Sequence, residues 1–405
     1  MDALSYLAGK NRSDYQRDNF DAFLDKIKFH FDRPAIHIAG TNGKGSTATF
    51  LKDIYIANGY KVGYYNSPNS LQEMIMVNDK NIPLEYIEKI IDEYHKLFDK
   101  YDLSKFEIET FIAFQYFMDE KVDLAVIECL MGGEYDATNI FTPVLSIITS
   151  ISIEHSDYLG VSFSDIALHK AGIIKDNIPA LIGKTIEGDA LQVIVDKCKE
   201  TDSKLYISDE THHVHKDGGY TIFDYRPYYE LKIRYLSTYA LKDAALAVEA
   251  TNILKESFPV FEDKLKAGLA KSFIKCRFEI VNDRIILDGA HNPEGIVELR
   301  KSMDENFSQR KVHVLFAAFK DKNISLMLPE ISLLGDVTLT TFDNARAREQ
   351  EDYFLYLDDY HFNDNFEVAL NDLANNNPEE VILVTGSLTF TYLVRDYLIK
   401  SGLIK

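Results

Sequence analysis

The stretch Ile36-His37-Ile38-Ala39-Gly40-Thr41-Asn42-Gly43-Lys44-Gly45-Ser46-Thr47 decides how this chain folds. A short alternating run before the glycines reads as a strand. After them, from 47 to 57, apolar residues recur at helical spacing. The glycines therefore occupy a strand-to-helix turn. At such a turn, backbone N–H groups without intrahelical partners point outward, and the helix dipole favours an anion. Glycine lets the backbone approach a phosphate with no Cβ in the way. Lys44 supplies a cation for the β- and γ-phosphates, and Ser46 or Thr47 a hydroxyl for Mg²⁺. A turn that binds nothing has no need of a lysine and two hydroxyls together. The spacing is not that of a Walker A loop, because two residues separate Gly40 from Gly43 and Gly45 follows Lys44.

Composition bounds the rest. A chain of 405 residues predicts two domains, with length enough for sizeable cores. Its apolar fraction of 46% is ordinary for a globular protein. No stretch approaches the apolar length that spans a bilayer, and residues 1–18 lack a signal-peptide core. Cys129, Cys198 and Cys276 are far apart and odd in number, which predicts reduced thiols in the cytoplasm. A net charge of −20 argues against a nucleic-acid binder, and anionic ligands must be held by local groups.

Along the chain, residues 1–35 read as helical, with Tyr15, Phe20, Phe23, Leu24 and Ile27 as an apolar stripe. Asn58-Gly59 ends the helix after the glycine-rich turn. Strand 60–65, a loop over 66–71, and helices over 84–100 and 108–118 follow. Residues 123–130 read as a buried parallel strand, nearly all apolar until Glu128. A carboxylate at the C-terminal end of such a strand lies where open α/β sheets place ligands. Burying it alone is costly, so a cation is expected beside it. Mg²⁺ suits a site with few carboxylates, water and phosphate oxygens completing its shell. Glu128 is thus the leading metal ligand, a salt-bridged strand end being the alternative. Strands over 144–150 and 179–182, a helix over 186–200, a strand- and turn-rich region over 201–237 and a helix over 239–254 complete the first part.

Residues 278–288 predict a hairpin turning at Asn282-Asp283. Beyond it, strands 312–317, 336–341 and 381–384 alternate with helical stretches, the pattern of a second α/β domain. The acidic run over 349–359 reads as a solvated surface. The expected organisation is α/β throughout. Residues 1–278 would form a P-loop-type ATPase domain with a mostly parallel sheet, and 279–405 a smaller Rossmann-like domain.

The string Gly40-Thr41-Asn42-Gly43-Lys44-Gly45-Ser46 resembles the phosphate loop of the Mur ligase superfamily. Gly132-Gly133-Glu134-Tyr135-Asp136-Ala137-Thr138-Asn139 is similar to that superfamily's Gly-Gly-Arg-Leu-Asp-Ala-Thr-Asn. Asp288-Gly289-Ala290-His291-Asn292-Pro293 matches its Asp-x-Ala-His-Asn-Pro. Ser67-Pro68, the run 154–160, the run 166–175, Phe319-Lys320-Asp321-Lys322 and Thr385-Gly386-Ser387-Leu388 match further segments in the same order. Together they resemble the folylpolyglutamate/dihydrofolate synthase branch.

The resemblance implies an ATP-dependent amide ligase that adds L-glutamate to a folate-type carboxylate through an acyl phosphate. A ligase of this fold acting on another carboxylate, or a nucleotide-binding protein that does not ligate, are the alternatives. Thr41, Asn42, Gly43, Lys44, Gly45 and Ser46 would bind ATP, with Asp243, Arg277, Asp288 and His291 contributing. Ser46, Ser67, Glu128 and His155 would hold Mg²⁺, two ions being implied. Lys170 corresponds to a lysine carbamylated in many relatives, its alternative being a solvated helix lysine. Lys44, Lys170 and His155 are the implied catalytic residues. Phe106, Glu107, Tyr135 and Asp136 fall in segments that line the acceptor pocket, although Phe106 serves equally well as a core residue. A cytoplasmic monomer with no nucleic-acid or membrane partner is expected. Asn69, Met74, Glu134 and His169 depart from the family pattern in or near the acceptor segments, Glu134 reversing the charge of an arginine.

Overall fold

The computed structural model describes residues 2–10, 17–66, 71–153 and 156–404. These divide into two compact units. The first comprises Met1–Val214, Ile222–Ile233 and Lys242–Ser272, and the second comprises His215–Thr221, Arg234–Leu241 and Phe273–Lys405. The break expected at 278/279 falls inside the second unit, which starts at Phe273 and also takes the two short segments.

The first unit is built on an eight-stranded sheet. Its strands are β1 (Ala35–Ala39), β2 (Val62–Tyr65), β3 (Ile75–Val77), β4 (Lys80–Asn81), β5 (Leu124–Glu128), β6 (Leu145–Ile148), β7 (Ala180–Ile182) and β8 (Leu205–Ile207), in the order β4-β3-β2-β5-β1-β6-β7-β8. The six strands from β2 to β8 in that order are parallel, and β3 and β4 add an antiparallel edge. β1 and β5 are buried along their whole length, which explains their nearly unbroken apolar runs. The chain leaves β1 toward β2 on one side and later returns to β6 on the other. The carboxyl ends of β5, β1 and β6 therefore surround a topological switch point.

Helices cover this sheet. Leu84–Lys100 is amphipathic and buries Ile87, Ile90, Ile91 and Phe98. It packs with Arg17–Ile27 and Lys105–Asp119 through Phe23, Tyr94, Phe98 and Phe111, whose rings meet largely edge-on. Helix Lys44–Ala57 is buried over most of its length, so it shows no polar face.

A separate sheet holds β9 (His212–Asp217), β10 (Tyr220–Tyr225) and β11 (Tyr228–Ile233) in the order β11-β10-β9. The second unit carries β12 (Glu279–Val281), β13 (Ile285–Leu287), β14 (Val312–Phe316), β15 (Gly335–Thr340), β16 (His361–Asn363) and β17 (Val381–Thr385) in the order β12-β13-β17-β14-β15-β16. β12 and β13 form the expected hairpin, and Asn282 and Asp283 take positive φ at its turn. The other strands are parallel to β13, with helices on both faces. β16 was not foreseen. The acidic run contains a short 3₁₀ helix, Gln350–Tyr356, that buries Tyr353, so it is not wholly a solvated surface. Among the described residues no helix is long and apolar enough to cross a membrane.

Candidate active site

The phosphate loop sits at the carboxyl end of β1, and the helix starts at Lys44, three residues earlier than its apolar pattern suggests. Its N-cap, Gly43, has φ 88° and no side-chain cap. The first turn therefore has no side-chain cap, and the helix itself places no acidic residue there. A Cβ on Gly43 would fall 2.2 Å from Asp243 Oδ1. Glycine is required here on two grounds, the left-handed backbone and the close carboxylate.

The loop is braced from the end of β6. Thr149 Oγ1 and Ser150 Oγ donate to Asn42 O at 2.6 and 3.1 Å. Thr41 N donates to Ser150 O at 2.9 Å, and Ser152 N to Thr41 Oγ1 at 3.0 Å. Thr41 and Asn42 thus have their positions fixed by Thr149, Ser150 and Ser152, none of which the sequence reading singled out. The hydroxyl-rich run 149–152 at a strand end was the available signal. Lys44 Nζ donates to Gly40 O at 2.8 Å and Thr41 O at 3.0 Å, closing over its own loop.

Glu128 ends β5, level with Ile38 of β1. A Cβ on Gly45 would lie 3.2 Å from Glu128 Oε2, so the missing side chain lets this carboxylate reach the start of the loop helix. Of the two hydroxyls, Thr47 is fully enclosed while Ser46 keeps slight exposure. A buried carboxylate beside a serine hydroxyl at an anion-binding turn fits Mg²⁺, which takes few protein ligands. Among the described residues there is no group of three His, Cys, Asp or Glu side chains able to hold a metal alone. Ser67 and His155, the other expected metal ligands, lie outside the described residues, as does Asn69.

Lys170 lies on helix Phe163–Ala171 and is 1% exposed, which overturns the solvated-lysine alternative. Its charge and that of Lys44 both act on the Cys129 thiol, which burial pushes up. Both lysines thus act on the residue that follows β5. Glu134 N donates to His169 O at 2.8 Å, and a Cβ on Gly133 would lie 2.7 Å from the same carbonyl. The Gly132–Asn139 segment is thus laid against the C-terminal turn of the Lys170 helix.

Within that segment, Asp136 closes on itself. Oδ2 accepts from Met131 N at 2.8 Å, and Oδ1 from Thr138 N at 2.9 Å and Thr138 Oγ1 at 2.6 Å. Burial pushes its carboxyl upward, and these bonds oppose the shift. Thr138 Oγ1 also meets His37 Nε2 at 2.8 Å. Since the threonine proton goes to Asp136, His37 donates from Nε2. Burial holds His37 neutral, with its pKa lowered to about 3. Arg17 clamps the segment from outside, donating to Asp136 O at 2.8 Å and Asn139 O at 2.9 Å. Its position more than a hundred residues away gave no sequence signal.

Of the other acceptor candidates, Phe106 is half-buried and lies near-parallel to Tyr65, with centroids 6.4 Å apart. Glu107 forms a capping box with Ser104, its Oε2 accepting from Ser104 N and Oγ at 2.7 and 2.6 Å. Tyr135 is exposed, its ring edge-on to His169.

In the second unit, Asp288 follows β13. Its Oδ2 accepts from Phe278 N at 2.8 Å and from the Tyr239 hydroxyl, and its Oδ1 from Ala290 N at 2.9 Å. Burial raises its pKa, while the nearby Arg277 charge lowers it. Asn292 caps helix Pro293–Phe307 by accepting from Gly295 N at 2.7 Å. His291 is half-buried with Nδ1 2.8 Å from Gly289 O.

Comparison with known proteins identifies the family and the fold. The family described as "Mur ligase, glutamate ligase domain" matches residues 276–388. The folylpolyglutamate synthase of Lacticaseibacillus casei is 30% identical over 385 residues, covering 90% of each chain. The dihydrofolate synthase/folylpolyglutamate synthase of Bacillus subtilis is 31% identical, covering 89% of each. Among solved structures, an FPGS–AMPPCP–folate complex superposes with a TM-score of 0.87 at 27% identity, covering 98% of each chain. Mycobacterium tuberculosis folylpolyglutamate synthase complexed with ADP gives 0.88 at 26% identity, covering 98% of this chain and 99% of that one.

Proposed function

Since the chain belongs to the folylpolyglutamate/dihydrofolate synthase family of the Mur ligase superfamily, we propose that it joins L-glutamate to a folate-type carboxylate at the cost of ATP, through an acyl phosphate. It is an ATP-dependent ligase that forms a C–N bond. The observation that carries the assignment is the uncapped phosphate loop with Glu128 brought against Gly45.

In the first step, a carboxylate oxygen of the acceptor attacks the γ-phosphorus of ATP. The bond to the β–γ bridging oxygen breaks, and ADP leaves. Charge accumulates on the transferring group, so the loop N–H groups and Lys44 supply electrostatic stabilisation. Lys44 must release Gly40 O and Thr41 O to reach the nucleotide. Ser46 and Glu128 would hold Mg²⁺, which neutralises phosphate charge when bound, with Ser67 and His155 assigned by resemblance to the same task. In the second step the uncharged amine of glutamate attacks the acyl carbon, phosphate leaves with the C–O electron pair, and the nitrogen loses a proton. Positioning dominates this step, and water must be kept out.

We assign Lys170 as the carbamylated lysine. Its support is burial, since an enclosed ammonium is unfavourable and a carbamate converts it to an oxygen donor. Asp243 beside Gly43 is assigned to nucleotide contact, as are Arg277 and His291. Asp288 is assigned to shaping the His291 turn, because its oxygens are already committed. Phe106, Tyr135 and Asp136 are assigned to the acceptor pocket, Asp136 through the turn it closes. Glu107 is assigned there through the helix start it caps. The protein is proposed to work as a cytoplasmic monomer, with all three cysteines free and buried.

The test is ADP release with Mg²⁺, ATP and L-glutamate, adding dihydropteroate or tetrahydrofolate in turn and weighing the product. Stimulated release with a product heavier by one glutamyl residue is expected. Bound ATP with no stimulation by either acceptor would move the assignment to a different carboxylate, and Glu134→Arg would be the first variant made.

A further inference from the structure

We propose that Glu109 is a specificity-determining residue that accepts the paired N–H donors on the heterocycle of the folate-type acceptor. The inference rests on the functional reading above and adds a residue to it.

The capping box at Ser104 and Glu107 fixes the first turn of helix Lys105–Asp119. From there Phe106, Glu109 and Thr110 share one face, at spacings of three and four. That face meets Tyr65. Phe106 lies 16° from parallel to its ring, and Thr110 Oγ1 is 3.2 Å from its hydroxyl. Tyr65 ends β2, level with Ile127 and one residue short of Glu128 on the neighbouring strand. The face therefore stands at the carboxyl edge of the sheet that also carries the phosphate loop. After burial, the charges of Glu109, Asp136 and Glu128 in that order raise the Tyr65 hydroxyl. Three carboxylates thus act on this one hydroxyl.

Two of them are accounted for. Asp136 closes its own turn, and Glu128 reaches Gly45. Glu109 is 4% exposed, and its Oε1 has no hydrogen-bond partner among the described residues. Lys105 Nζ forms a long ion pair with that same oxygen at 3.6 Å, beyond hydrogen-bonding distance, from a side chain that is 44% exposed. Burial pushes the Glu109 carboxyl up to about 7, with Lys105 opposing the shift. An enclosed carboxyl of this kind costs stability, and the helix that carries it is otherwise buried and largely apolar, with Ile112 one turn on. Such cost is retained where a group serves a ligand. The chemistry beside it is flat and aromatic, with one buried acceptor oxygen that has no hydrogen bond among the described residues. A planar ring carrying adjacent ring N–H and amino donors matches both features.

Glu109→Gln keeps the size and removes the anion. The expected result is a rise in the acceptor KM of roughly tenfold or more, with KM for ATP and L-glutamate little changed. In the unmodified enzyme the acceptor KM falls as pH rises from about 6 to 8, because donors favour the ionised carboxyl, and the variant loses this dependence. An unchanged acceptor KM with an unchanged pH profile, or a change confined to glutamate, would overturn the proposal. Should the variant fail to fold, calorimetry of acceptor binding to the unmodified protein at pH 7 in two buffers of different ionisation enthalpy decides. Net proton release is expected, and none would overturn the proposal. The two readings fail separately. If the unmodified enzyme glutamylates neither dihydropteroate nor tetrahydrofolate, the folate assignment falls. If it does so and Glu109→Gln behaves as the parent, only the role of Glu109 falls.

Discussion

Two strand-to-helix junctions of this molecule carry family motifs, one in each unit, and they are in opposite physical states. At Gly40–Lys44 the helix begins without a side-chain cap, and among the described residues Lys44 donates only to carbonyls of its own loop. At Asp288–Pro293 the junction is closed. Asn292 caps the helix, Pro293 removes a donor that would otherwise be orphaned, and Asp288 accepts from Phe278 N, Ala290 N and Tyr239. The first turn has no side chain capping its donors, whereas the second commits Asp288 and Asn292 to holding its shape. A motif match at a strand end therefore does not by itself say which residues touch a ligand. The hydrogen-bond ledger of each turn does.

The contrast is broken most forcefully at Lys44. Lys44→Ala should lower acceptor-dependent ADP formation by about 10²- to 10³-fold with little change in Tm, because the lysine supports only its loop in the free protein. ADP formation left intact would remove the open junction from the chemistry. Asp288→Ala should act in the other direction, costing about 3 kcal/mol of stability by stranding two buried backbone donors and the half-buried Tyr239 hydroxyl, as read by urea unfolding. A variant as stable as the parent would mean that the second junction is not self-supporting.

Glu109 sharpens the comparison within the first unit, being a buried carboxyl without the internal partners that Asp136 has. Its folded pKa of about 7 lies above the model-peptide value of 4.5, so the folded state holds a proton between them. That contribution to stability is present below the unfolded pKa and is lost as pH rises through 7. Glu109→Gln should therefore gain about 3 kcal/mol over the parent at pH 8 and nothing near pH 4, measured by denaturant titration. A gain that does not depend on pH would contradict this. The smallest effect is expected of Asn292→Ala, a loss of about 1 kcal/mol from the missing cap.

The fold was legible where the periodicity was strong. The phosphate loop, the run ending at Glu128, the helix Leu84–Lys100 and the hairpin at Asn282-Asp283 each read from local pattern, since burial on both faces or on one helical stripe writes itself into sequence. Short edge strands such as β4 and β16 carry two or three residues and leave no period to detect. The site was legible in its local parts and illegible in its long-range ones. Arg17 reaches Asp136 and Asn139, and Tyr239 reaches Asp288, through contacts that only folding creates. Glu107 read as a pocket residue, yet its carboxylate caps a helix, which the Ser104-x-x-Glu107 spacing was able to reveal.

The most direct measurement uses an acceptor, dihydropteroate or tetrahydrofolate, labelled with ¹⁸O in the carboxylate that receives glutamate. The reaction is run with ATP, Mg²⁺ and L-glutamate, and the released phosphate is weighed. Transfer of one labelled oxygen to phosphate, together with the glutamylated product, is the expected result, because the attacking carboxylate oxygen leaves with phosphorus. Unlabelled phosphate alongside a glutamylated product would contradict activation through an acyl phosphate at the open junction.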